Sequence, residues 1–64
     1  MSYEIEGAEA VSETDKGIWV EAADLSERTF IPQSQITDES EVWKKGDKGA
    51  LIVTDWLAEQ RGWL

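Results

Sequence analysis

With neither cysteine nor histidine among its 64 residues, the chain cannot close a disulfide or assemble the usual zinc site, two devices that often reinforce domains of this length. A domain this small buries only roughly 60% of the surface that its unfolded chain exposes. Its core therefore has to come from apolar side chains alone. Trp19, Trp43, Trp56 and Trp63, with Tyr3 and Phe30, offer on the order of 150–250 Å² each. The sequence thus predicts an aromatic-rich core within a single domain spanning residues 1–64.

The same absences restrict the chemistry. Ser-His-Asp and Cys-His catalysis are impossible, and the lysines fall in a polar loop and not in an apolar setting that would lower their pKa. Paired carboxylates acting alone would need a cleft wide enough for a sugar, for which one thin core leaves little room. The chain is expected not to be an enzyme and to use no cofactor. Asp38, Glu39 and Glu41 are oxygen donors, but the spacing and glycine of a calcium loop are missing, so no metal is expected either. Lys45-Gly46-Asp47-Lys48-Gly49 lacks the phosphate-loop spacing and the helix that should follow it.

Charge is distributed unevenly. Glu4, Glu6, Glu9, Glu13, Asp15, Glu21, Asp24 and Glu27 face a single cation, Lys16, in the first 27 residues, so that segment carries −7 of the total −8. Residues 28–48 balance, and the last sixteen add −1. Such a segment creates a directional negative field. It disfavours direct contact with nucleic acid or anionic lipid, whose binding relies on Lys and Arg. No apolar run approaches the roughly 20 residues of a membrane span. Met1-Ser2-Tyr3-Glu4 has neither the basic start nor the apolar stretch of a signal peptide. A cytoplasmic protein without membrane contact, monomeric or weakly homodimeric, is expected.

Between Glu6 and Phe30 the pattern predicts a β-hairpin and a third strand, with turns at Asp15-Lys16-Gly17 and Asp24-Leu25-Ser26-Glu27. Gly17 is expected to supply a positive φ. A three-residue loop pairs Thr14 with Ile18, Ser12 with Val20 and Ala10 with Ala22 on a small apolar face. It pairs Glu13 with Trp19 and Val11 with Glu21 on an acidic one; a one-residue slip would exchange the faces. Arg28–Ile31 forms a strand that Pro32 ends. Pro32–Ile36 makes a single turn anchored by Ile36, and Lys44–Gly49 is a basic loop. Ala50-Leu51-Ile52-Val53, the most apolar β-prone run, is expected to be central and buried on both faces. Thr54 or Asp55 caps a terminal helix through about Arg61, which Gly62 closes. The fold class is α+β: a small twisted antiparallel sheet of about four strands with one C-terminal helix.

Carboxylates at alternate strand positions, such as Glu4 and Glu6 or Glu13 and Asp15, lie about 6.6 Å apart on one side. That spacing is comparable to successive phosphates, and Arg pairs bidentately with either group. The acidic residues therefore suit a basic groove built for DNA. A charged sheet face kept for solubility and against edge pairing accounts for the same pattern.

Four segments carry a resemblance: Phe30-Ile31-Pro32-Gln33-Ser34-Gln35-Ile36, Ser40-Glu41-Val42-Trp43, Lys45-Gly46-Asp47-Lys48-Gly49 and Trp56-Leu57-Ala58-Glu59. They resemble a family of very small proteins encoded by bacteriophages and mobile elements, over about half the residues. That resemblance implies a compact β-rich fold in a bacterial host cell. In size, acidity and lack of histidine the chain is also similar in general character to anti-CRISPR proteins and other DNA mimics. This second likeness implies a phage-encoded inhibitor whose partner is the basic DNA-binding surface of a host defence complex. Its partner-binding residues would be Glu4, Glu6, Glu9, Glu13, Asp15, Glu21, Asp24 and Glu27, with Trp19 as a central anchor. Two alternatives stay open. One is a nucleic-acid-binding accessory module of phage replication using Lys44, Lys45, Lys48 and an exposed tryptophan. The other is an acidic protein–protein adaptor.

Overall fold

The computed structural model describes residues Ser2–Leu64. Strands β1 (Ser2–Glu13), β2 (Gly17–Glu21), β3 (Thr29–Pro32) and β4 (Lys48–Thr54) form one antiparallel sheet in the order β3-β2-β1-β4. A single 3-10 turn, Gln33–Gln35, follows β3, and helix α1 (Asp55–Gln60) follows β4. The expected antiparallel sheet with a C-terminal helix is present, although six helical residues make the molecule mostly β. Among the described residues, no helix is long and apolar enough to cross a membrane.

One sheet face packs inward through Ile5, Ala8, Ala10, Ile18, Val20, Ile31, Leu51 and Val53, which join Ile36, Val42 and Leu57 in the core. The largest fully buried side chains are all aliphatic. Full burial of each Ile, Leu or Val contributes about 1.5–3 kcal/mol relative to exposure. This corrects the expectation of an aromatic-rich core. Tyr3, Trp43 and Trp63 pack only against its margin, while Trp19 is 38% and Trp56 59% exposed. A strand alternates its side chains, so β-branched residues at every second position fill a thin layer without leaving room for an indole.

β4 ends the sheet, which corrects the central position expected for Ala50–Val53; β1 and β2 are the inner strands. The apolar run survives there because residues 36–41 cover the open side of β4. Ile36 bridges Val53, Thr37 N–H donates to Ile52 O (2.9 Å) and Glu41 N–H to Ala50 O (2.8 Å). In return, the Ser40 hydroxyl accepts from Ile52 N–H (3.2 Å) and the Glu41 carboxylate from Ala50 N–H (2.9 Å). An exposed strand edge is thereby satisfied without a fifth regular strand. The opposite edge, β3, contains Pro32, and Arg61 Nη2 donates to the Phe30 carbonyl (2.8 Å), blunting that side as well.

Both ends of α1 follow local rules. Thr54 Oγ1 accepts from Leu57 N–H (3.3 Å), capping the N-terminus as expected. Gly62 adopts φ 78°, and the bonds Trp63 N–H to Ala58 O (2.8 Å) and Gly62 N–H to Glu59 O (3.1 Å) form a Schellman closure. That closure returns Trp63 onto Tyr3 of β1, with ring centroids 5.8 Å apart and planes at 22°. The terminal segment is thereby secured to the sheet.

Candidate acidic sheet face

Which way each N-terminal carboxylate points is decided by two β-bulges in β1. In the pairing with β4, Ile5 opposes Leu51 and Ala8 opposes Gly49. Glu6 and Gly7 therefore share the space opposite Ala50, with Gly7 at φ 67°. The extra residue shifts the alternation by one. Ile5 and Ala8 both turn into the core, whereas Glu4, Glu6 and Glu9 are exposed on the outer face. Without the bulge, a strict period of two would place Glu9 on the side of Ile5.

A second bulge lies between Ala10 and Ser12 in the pairing with β2, where Glu9 opposes Glu21, Ala10 Val20, Ser12 Trp19 and Glu13 Ile18. This replaces the register expected from a three-residue turn. Thr14 N–H instead donates to Gly17 O (2.8 Å) and Gly17 N–H to Thr14 Oγ1 (3.3 Å), closing a tight loop around Asp15 and Lys16. Gly17 does not have a positive φ, also contrary to expectation. It is needed for close approach, because a Cβ there would overlap the Ile31 carbonyl oxygen and lie 2.9 Å from the Phe30 ring.

The expected set of acids is consequently divided. Glu4, Glu6, Glu9 and Glu21 share the outer face with Trp19. Glu13 does not pair with Trp19; it opposes inward-facing Ile18, and its carboxylate accepts from Lys45 N–H (3.3 Å). The Lys44–Asp47 loop docks on β1 at this point, through Ala10 N–H to Asp47 O and Gly46 N–H to Ala10 O, both 2.9 Å. Asp15 is not in the strand but at the hairpin tip, so it forms no alternating pair with Glu13. Asp24 and Glu27 lie in the longer loop between β2 and β3, where they line a cleft of about 510 Å³ with Gln60, Arg61 and Trp63.

Partners on the outer face are few. Arg28 pairs with Glu21, its Nε and Nη2 both meeting Oε2 at 3.1 and 3.0 Å, with both side chains about half exposed. Lys48 stands opposite Glu9 in register. Among the described residues, the carboxylates of Glu4, Glu6 and Glu9 accept no hydrogen bond and make no ion pair. Trp19 leans on Phe30 of β3, centroids 5.3 Å apart and planes at 59°. The role of Gly7 was not legible beforehand; a glycine interrupting an alternating acidic strand is the signal that marks such a bulge.

Elsewhere, polar side chains serve the fold. Asp47 accepts from the backbone N–H groups of Trp43 (3.0 Å) and Lys44 (3.1 Å) and shapes the basic loop. No group of three or more acidic side chains among the described residues is arranged to hold a metal ion. No protein-family model, curated protein or solved structure matches this chain.

Proposed function

We propose that this protein is a binding inhibitor of anti-CRISPR type, which occupies the basic nucleic-acid-binding surface of a host protein complex by presenting carboxylates in place of phosphates. The observation that carries this reading is the Gly7 bulge, which keeps Glu4, Glu6 and Glu9 on the one exposed face that they share with Glu21. A carboxylate kept only for solubility would also have to face outward. What supports mimicry is that the three carboxylates stand on one face with no hydrogen bond or ion pair among the described residues, open to an incoming cation. Inhibition would be steric and electrostatic, with no reaction catalysed. The narrowed contact set is Glu4, Glu6, Glu9, Glu21 and Trp19; Asp24 and Glu27 lie beside the separate cleft.

The test is capture of a partner from bacterial lysate with and without excess duplex DNA, using wild type and the triple variant Glu4→Lys, Glu6→Lys, Glu9→Lys. Wild type should retain a partner that DNA displaces. The triple variant, with an unchanged circular dichroism spectrum, should retain none. Capture by the variant with the same sensitivity to DNA would refute mimicry through this face.

A further inference from the structure

Trp19 sits on the inner strand β2 yet contributes little to the aliphatic core, and it stands 38% exposed on the outer face, one step beyond the Glu9–Glu21 pair toward the hairpin tip and directly opposite Ser12. Phe30 supports it from one side. Two residues along the same strand and face, Glu21 is already engaged by a guanidinium, with both Arg28 nitrogens on Oε2 and none on Oε1. Across the sheet, Glu9 has no partner among the described residues. An exposed indole thus shares its face with the next cross-strand pair, Glu9 and Glu21, whose carboxylates keep oxygens that accept no hydrogen bond. A planar guanidinium can stack on an indole and donate to carboxylates in its own plane, whereas an ammonium is a compact, strongly hydrated point charge.

We propose that Trp19, Glu9 and Glu21 form a receiving site for an arginine side chain of a protein partner. This rests on the binding-inhibitor reading and narrows its partner to surfaces that use arginine more than lysine. Nucleotides are the poorer match for the same indole, because Glu9 and Glu21 flank it and Glu4 and Glu6 continue the row on the same face, all repelling a phosphate.

Capped hexa-arginine and hexa-lysine peptides, equal in charge, test the site at low salt. Titration calorimetry supplies the affinities and the Trp19 indole N–H resonance reports the contact. Hexa-arginine should bind at least about threefold more tightly and shift that resonance. Trp19→Leu should bring hexa-arginine to the level of hexa-lysine without altering the latter, while Trp19→Tyr, which keeps a π face, retains the preference. Two-dimensional NMR spectra verify that both variants fold. Equal affinity of the two peptides for wild type would overturn the arginine site and leave charge mimicry standing. Binding of neither peptide would overturn both. A Trp19 shift produced by an oligothymidylate instead of the peptides would assign the aromatic pair to nucleobases and also overturn the proposal.

Discussion

Glu9 on β1 and Glu21 on β2 face each other as a directly registered cross-strand pair. Opposite charges at such positions stabilise a sheet, and like charges oppose its formation. Arg28 relieves this on the Glu21 side, and Lys48 flanks Glu9 from β4 without forming an ion pair. The sheet therefore carries repulsion at its centre that any neutral residue at Glu9 would remove. A surface arranged in this way favours an incoming cation over its own stability.

Substitution Glu9→Thr should stabilise the protein by roughly 0.2–1 kcal/mol, read as a higher urea midpoint with an unchanged slope. Added sodium chloride should raise the midpoint of wild type more than that of the variant, since screening weakens the same repulsion. The variant should also bind cationic peptides more weakly. A loss of stability on substitution would show that the pair is not repulsive in the folded state.

Ser40 is a buried polar residue whose hydroxyl accepts from Val42 N–H and Ile52 N–H, both at 3.2 Å, and donates to Val42 O at 3.2 Å. Ser40→Ala leaves two backbone donors without that acceptor, at a cost of about 1–3 kcal/mol for each group that stays buried. Amide exchange should accelerate at Ile52 before it does at Ile18 on β2. Unchanged protection at Ile52 would mean that water replaces the hydroxyl.

Two glycines of β1 and β2 should respond differently to alanine. At Gly17 the added Cβ meets the Ile31 carbonyl and the neighbouring backbone, so Gly17→Ala should separate β2 from β3 and destabilise by more than about 3 kcal/mol. At Gly7 the Cβ has open space and the penalty comes only from φ 67°, about 1–2 kcal/mol. Thermal unfolding of the two variants should show this order; the reverse order would disprove the assignment of their roles.

The Thr54 hydroxyl both caps α1 and bonds to the side chain of Gln35. Thr54→Ala should cost about 0.5–2 kcal/mol, and Thr54→Ser should recover most of it. Circular dichroism would detect little change for so short a helix, so amide exchange at Leu57 is the sharper measurement. Equal protection of Leu57 in the alanine variant would show that the cap is dispensable.

The elements legible in the sequence are those specified by neighbours in the chain. Thr54 before an apolar helical pattern, Gly62 after it and Pro32 before a short turn each act through local hydrogen bonds or backbone limits, and each stands where expected. The concentration of acids before Arg28 and the absence of cysteine and histidine are likewise properties of composition. The position of β4 at the sheet's end was not legible. Its apolar run indicates burial on both faces, but only Leu51 and Val53 are buried while Ala50 and Ile52 stay half-buried, and segment 36–41 takes the place of a neighbouring strand at the open edge.

Composition alone sets how much negative charge the hairpin carries, whereas the direction in which that charge faces follows from long-range strand pairing. Side-chain direction in a strand depends on parity, so a single extra residue reverses everything beyond it. The bulge at Gly7 keeps Glu9 beside Glu4 and Glu6, while the bulge before Ser12 turns Glu13 away toward Lys45 and brings Ser12 opposite Trp19. Both bulges depend on pairing with β2, β4 and the Lys44–Asp47 loop. Those contacts link residues far apart in the chain, and no local pattern specifies them.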